Sequence, residues 1–320
     1  MTRFGRATAL SGSSPLRAAA LWLTLSAACW GIGTAFSKQA LAEIPPLTVL
    51  PLQLAVSLVF LAVAQHVTSD DQALAMASPP RLARLGVLNP GLAYALSLVG
   101  LTTITVSLSV LLWALEPLLI VGLAAWLLRE RVSAALLGLS AVAVGGMLLV
   151  VVDAGMGGQA AGIALTVAGV ACCATYTVAT RRWLPTAPST LRVVAGQQAY
   201  ALGFAVILFV AATLIGGRLW PSEVSLAGWA SVIVSGVLYY GLAYTFYLTG
   251  LRRVPASLAS AVFYLIPVFG IAAGTVLGDR LEPRQWLGAA IVIGAVALIA
   301  VQMARSPAPT VSRSLEASGS

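Results

Sequence analysis

Apolar stretches of about 18 or more residues follow one another along nearly the whole chain, and each is long enough to cross about 30 Å of hydrocarbon as a helix. The rest of the composition leaves little alternative. Of 320 residues 59% are hydrophobic and only 9% charged, with a mean hydropathy of +0.96. A soluble domain carries roughly a quarter charged residues to keep its surface wetted, and this chain cannot cover itself that way. The pattern predicts an all-α integral membrane protein whose first partner is the lipid bilayer.

Divided at charged residues and at Pro and Gly, the apolar runs give ten expected spans at residues 18–37, 47–65, 85–101, 104–127, 133–152, 160–180, 192–215, 228–250, 255–278 and 285–303. The first run is too long for the apolar core of a signal peptide and is expected to be retained. The ends, rich in Ser, Thr, Pro and Gly, are expected to be disordered tails.

Charge placement orients these spans. With the N-terminus in the cytoplasm, 14 of the 18 basic residues fall on the inner side, and only Lys38, Arg218, Arg280 and Arg284 fall outside. That segregation follows the positive-inside rule with both termini cytoplasmic. It also explains the net charge of +8 without nucleic acid. Lys38 is the only lysine among the 18 basic residues, and with the abundant alanine this fits a GC-rich bacterial genome.

A repeat lies inside the ten spans. Residues 91–117 align with 241–267 without a gap: Gly91-Leu92-Ala93-Tyr94 on Gly241-Leu242-Ala243-Tyr244, Gly100-Leu101 on Gly250-Leu251, Ser107-Leu108 on Ser257-Leu258, and Pro117 on Pro267. Earlier positions align at shorter offsets, Cys29 with Cys172, Lys38 with Arg181 and Gln53 with Gln197. Five spans per repeat is an odd number, so the two copies must enter the membrane in opposite orientations. The turn Thr102-Thr103 becoming Arg252-Arg253 fits that inversion, one facing outside and the other the cytoplasm. The expected organisation is a cytoplasmic tail 1–17, a five-helix repeat 18–152, an external loop 153–159, a second repeat 160–303 and a cytoplasmic tail 304–320.

Enzyme chemistry finds no footing. The three cysteines lie inside apolar runs, the single histidine His66 ends a helix, and there is no phosphate-cradling glycine loop and no zinc or nucleophile motif. No cofactor is expected.

The ordered motifs are those of a known family. Trp30-Gly31 followed by Lys38, Glu116-Pro117 leading to Arg129-Glu130-Arg131 and Gly138, and their echo in Pro267, Gly278-Asp279-Arg280-Leu281 and Gly288 resemble the drug/metabolite transporter superfamily, in its ten-helix EamA type. The resemblance covers nearly all of the chain apart from the tails. Two positions depart from it: Asp279 stands where similar proteins usually carry Glu, and Gln53 where many carry Arg. The likeness implies transport of small metabolites across a bacterial inner membrane, often outward, with amino acids, amino-acid-like compounds, nucleosides or drug-like molecules as substrates.

Several side chains are candidates for such work. Glu116 falls near the middle of the fourth span, where a charge costs about 2.5 kcal/mol or more. It is either a proton-coupling or amine-binding carboxylate, or a partner for carbonyls freed near Pro117. Trp113, three residues earlier, shares its helix face. With Trp30, Tyr94, Tyr176, Tyr240, Tyr244, Phe263 and Tyr264 it lines a substrate cavity or packs the core. Gln53 and Gln197 bridge helices or touch substrate. Asn89-Pro90-Gly91 marks a broken helix. Lys38 and Arg181 are repeat equivalents, either gate residues at opposite faces or snorkelling bases. Gly270, Gly274 and Gly278 form a stripe suited to packing a helix or a homodimer. The expected mechanism is alternating access around a midplane cavity, as an exporter or as an uptake carrier, with protons as one candidate coupling partner. A membrane enzyme or sensor on the same scaffold is the remaining alternative.

Overall fold

The computed structural model describes residues 13–67, 78–101, 103–104, 112–113, 115–151, 160–187, 189–217, 219–221, 223–276 and 283–305. Within these, ten helical segments follow one another. They are α1 (Ser13–Leu41), α2 (Pro46–Val67), α3 (Pro80–Ala83, a wide π-type turn Val87–Leu92, then Ala93–Leu101), α4 (Glu116–Leu127) and α5 (Ala134–Val151). The second five are α6 (Ala160–Trp183), α7 (Thr190–Leu214), α8 (Leu226–Ser235, a wide turn Gly236–Leu242, then Ala243–Leu251), α9 (Ala256–Ala259, a 3-10 stretch Ser260–Leu265, then Ile266–Val276) and α10 (Pro283–Arg305). By length and composition five helices can cross a membrane: Leu16–Leu41, Pro46–Val67, Ala160–Thr186, Thr190–Leu214 and Leu226–Leu251. Shorter apolar helices supply α4, α5, α9 and α10.

α1 begins at Ser13, earlier than the first apolar run, because Pro15 sits in its first turn, where a missing N–H has no helical partner to lose. Residues 68–77, 152–159 and 277–282, with Gly278, Asp279 and Arg280, lie outside the described residues, as does most of both tails.

The two halves interlock. α1 packs on α8 and α9 of the second half, and its repeat counterpart α6 packs on α3 and α4 of the first. α2 lies against α7 and α8, α7 against α2 and α3, and α5 against α10. Each contact thus has a partner with the two halves exchanged, which is the pattern of a two-fold axis between inverted repeats. Glycine permits the closest approaches. At Gly31 a Cβ would stand 2.5 Å from the Ile266 carbonyl oxygen and 2.6 Å from Phe269 Cβ, so α1 and α9 touch nearly backbone to backbone. Gly270, on the stripe noted above, faces Gly31 at that contact.

Outward from this core, Val59, Val63, Trp126, Ile207, Leu214 and Ile293 are exposed. An apolar belt of this kind belongs in lipid rather than water. The chain is a multi-pass membrane protein.

Glu43, in the turn after α1, accepts hydrogen bonds from Ser225 Oγ (2.7 Å) and Ser225 N–H (2.6 Å). These bonds hold its carboxyl below the ordinary carboxylate range and tie the α1–α2 turn to the start of α8.

Candidate functional site

A cavity of about 410 Å³ lies between the halves. From the first half come Trp30, Thr34, Ser37 and Lys38 of α1, Gln53 of α2, Asn89, Tyr94 and Ser97 of α3, then Trp113 and Glu116. From the second come Cys173, Tyr176 and Thr177 of α6, Tyr239, Tyr240, Tyr244 and Tyr247 of α8, and Phe263, Tyr264 and Gly270 of α9. The structure therefore brings Glu116, Trp113, Tyr94, Tyr244, Tyr240, Trp30, Tyr176, Phe263, Tyr264, Gln53 and Lys38 to one space. Gln197 and Arg181 lie elsewhere.

The two wide turns aim the walls. Asn89 has φ −149° and ψ 125°, outside the helical region, because the ring of the following Pro90 clashes with a helical residue before it. In the same repeat register α8 widens at Gly236–Leu242, without a proline. Wide turns of this kind occur often at functional sites because they redirect side chains. Here they set two matching contacts: Tyr239 donates to Tyr94 Oη at 2.8 Å, and Tyr244 donates to Asn89 Oδ1 at 3.3 Å. Asn89 corresponds to Tyr239 and Tyr94 to Tyr244, so each bond is the other with the halves exchanged. The carbonyl of Tyr240, in the second turn, receives Gln198 Nε2 at 3.2 Å.

The glutamines bridge helices by the same symmetry. Gln53 Nε2 donates to Ser37 Oγ (2.9 Å) and Ser235 Oγ (2.7 Å). Gln197 Nε2 donates to Thr180, the counterpart of Ser37, at 3.4 Å, and its Oε1 accepts from Tyr176 Oη at 2.8 Å. The Tyr176 ring shields Gln197 from the cavity, whereas at the equivalent point of α1 Gly33 has no side chain, and Gln53 reaches the wall. Tyr176→Phe should strand Gln197 Oε1 in a buried site and cost about 1–2 kcal/mol of stability. Thermal melting in detergent reads this, and an unchanged melting temperature would refute the bridge.

The lining runs along the last turns of α1, where Thr34 and Lys38 are exposed, to Leu41 and Pro46 on either side of the α1–α2 turn. At the opposite end a group of contacts clasps the α8–α9 turn. α4 stops at Leu128, whose N–H caps back on the Ala124 carbonyl, and Arg129 adopts a left-handed φ of 54°. That reversal swings Glu130 across to the start of α9, where it accepts from Ala256 N–H (2.8 Å), Ser257 N–H (3.0 Å) and Ser257 Oγ (2.6 Å). The orphan N–H groups and dipole of a helix start favour a carboxylate there. Arg181 donates from Nε to the Val254 carbonyl at 2.9 Å, and Arg252 reaches the Ala187 carbonyl and, at 3.2 Å, Thr190 Oγ1. None of these residues lines the cavity.

Sequence reasoning did not place Tyr239, Tyr247, Ser97, Cys173 or Glu130 in a site. The repeat register carries the signal for three of them: Tyr239 matches Asn89, Tyr247 matches Ser97, and Cys173 matches Trp30.

An apolar-belted helical bundle of two interlocked repeats with an aromatic cavity between them defines a membrane-transporter class of architecture. The model of the EamA-like transporter family matches residues 17–152 and again residues 160–301. The chain belongs to that family, within the drug/metabolite transporter superfamily. A solved crystal structure is similar to it with a TM-score of 0.76 and 20% identity, over 90% of this chain and 98% of the other, which supports the fold. No curated protein matches the sequence.

Proposed function

We propose that this transporter exports small amphipathic metabolites, amino-acid-like compounds among them, across a bacterial inner membrane by alternating access. The observation that carries the reading is the cavity between the two halves, which reaches the α1–α2 turn at Lys38 and stops short of the α8–α9 turn clasped by Glu130, Arg181 and Arg252. With the basic loops and both termini in the cytoplasm, that is an outward-facing conformation with a shut inner side. Rocking of the inverted halves exchanges the two ends. Lys38 and Arg181, as repeat equivalents at opposite faces, then act as gate residues, the first released and the second docked.

The test is flux into inverted membrane vesicles carrying the full chain, with a panel of radiolabelled amino acids and aromatic amines. Export predicts uptake into these vesicles that collapses when a protonophore is added. Flux confined to right-side-out vesicles would overturn the direction. Glu116→Gln separates two roles: if Glu116 carries the coupling proton, its flux no longer responds to the proton gradient.

A further inference from the structure

The repeat register divides the cavity into two half-sites that correspond residue by residue. Trp30, Tyr244, Tyr247, Phe263 and Ile266 form one; Cys173, Tyr94, Ser97, Trp113 and Glu116 stand at the matching positions of the other. The first is filled by its own rings. The Trp30 ring lies 5.4 Å from each of Tyr244, Tyr247 and Phe263, and Tyr247 lies 4.9 Å from Phe263. In the second, a thiol and a hydroxymethyl replace the indole and the phenol, so that Tyr94 and Trp113, stacked at 5.7 Å, have small side chains where the other half has rings; Tyr239 and Tyr240 reach Tyr94 at 5.7 and 6.0 Å, and Ser97 Oγ lies against Gly169 of α6. Symmetry is broken there toward small side chains, and at one position toward charge.

That charge has no counterpart. The Glu116 carboxylate makes no hydrogen bond or ion pair among the described residues, and Ile266 stands at its matching position. Among the described residues the only basic one lining the cavity is Lys38, exposed at the mouth, roughly 12 Å further along α1 than Trp30. Among the described residues Trp30 Nε1 and Ser97 Oγ are buried without hydrogen-bond partners. An unpaired carboxylate in a cavity lined by aromatic rings is complementary to a cation, since both attract positive charge in a desolvated site.

We infer that, within the amphipathic metabolites proposed above, the substrate of this cavity is a small organic monocation rather than a zwitterionic amino acid, its charged group on Glu116 and its apolar body in the half-site with the smaller side chains Ser97 and Cys173, against Tyr94 and Trp113. This rests on the transport reading above, which makes this cavity the substrate site. Ser97 and Cys173 then determine specificity by the volume they leave.

Calorimetric titration of the full chain in detergent at neutral pH, with four probes that share one phenyl ring, tests it: phenethylamine, 2-phenylethanol, 3-phenylpropionate and L-phenylalanine. Phenethylamine should bind about tenfold or more tightly than each of the others. Glu116→Gln should bring the amine down to the affinity of the alcohol. Ser97→Tyr and Cys173→Trp, which restore the rings of the other half, should each weaken the amine about tenfold or more. Glu116→Gln is nearly isosteric and keeps the test open if a ring-restoring variant does not fold. Tighter binding of the alcohol, the propionate or phenylalanine, or no binding by any probe, overturns the charge class. Full affinity in both ring-restoring variants overturns the half-site. Phenethylamine binding as expected, without counterflow in proteoliposomes, would leave the subsite standing and remove the transport reading.

Discussion

Under the proposed orientation, Glu130→Ala should move the protein out of the outward-facing conformation. A cysteine placed at Thr34, with Cys29, Cys172 and Cys173 replaced by serine, reports this as the rate of labelling by an impermeant maleimide added from outside. Thr34 lines the cavity near its mouth and is exposed. The Glu130 side chain accepts three hydrogen bonds from the first residues of α9, two from backbone N–H groups that have no helical partner. Hydrogen bonds to a charged group contribute about 1.5–3 kcal/mol each. If one such bond's worth of free energy distinguishes the two conformations, losing it shifts their ratio about tenfold or more. Outside labelling should fall accordingly, and inside-out vesicles should gain access to the same cysteine. Glu130→Gln, which keeps an acceptor oxygen but not the charge, should fall between wild type and Ala. Unchanged outside labelling in the Ala variant would show that the clasp does not distinguish the conformations. Arg181→Ala removes a single bond to the Val254 carbonyl and should shift labelling in the same direction by less.

Much of this arrangement is visible in the sequence because a membrane restricts what a sequence can hide. A buried charge in an apolar run, such as Glu116, or a proline after an asparagine, such as Pro90, stands out against a background that excludes both. The gapless register of residues 91–117 on 241–267 then ties Tyr94 to Tyr244 before any contact is known. What sequence reading misses are pairings that depend on which neighbour arrives first. Gln53 and Gln197 are equivalent in register, yet Tyr176 caps one while Gly33 leaves the other open to the cavity. Glu130 reads as one charge in a basic loop until the left-handed turn at Arg129 points it at α9. Cys173 and Ser97 look like ordinary small residues in apolar helices. Their meaning emerges only when their counterparts Trp30 and Tyr247 prove to fill the same space in the other half. The 3-10 stretch Ser260–Leu265 in α9 also has no sequence signature, since no proline or glycine falls within it.

Gly86→Ala should be the most damaging single-methyl change in the bundle. Gly86 has φ −59° and ψ −30°, ordinary helical values, so it is not glycine for the sake of its backbone conformation. It is glycine because α7 passes directly over it: an added Cβ would overlap the backbone carbonyl of Gln197, with the Gln197 Cα 2.7 Å away. A clash with a flexible side-chain end relaxes by rotation, whereas a clash with backbone forces two helices apart. Overpacking of a close contact costs typically about 1–3 kcal/mol and occasionally more, and this contact is at the upper end because no rotamer relieves it. The displacement also reaches the bonds Gln197 makes with Tyr176 and Thr180 and the wide turn at Val87–Leu92, so the cavity wall moves with it. Gly145→Ala is the matched control, for a Cβ there meets nothing within 4 Å. It should raise stability by up to about 1 kcal/mol through helix propensity alone. Melting temperatures of the two variants in the same detergent should therefore move in opposite directions. A Gly86→Ala protein that melts with or above wild type would mean that α3 and α7 are further apart than described, and the position of Asn89 beside Tyr244 would fall with that contact.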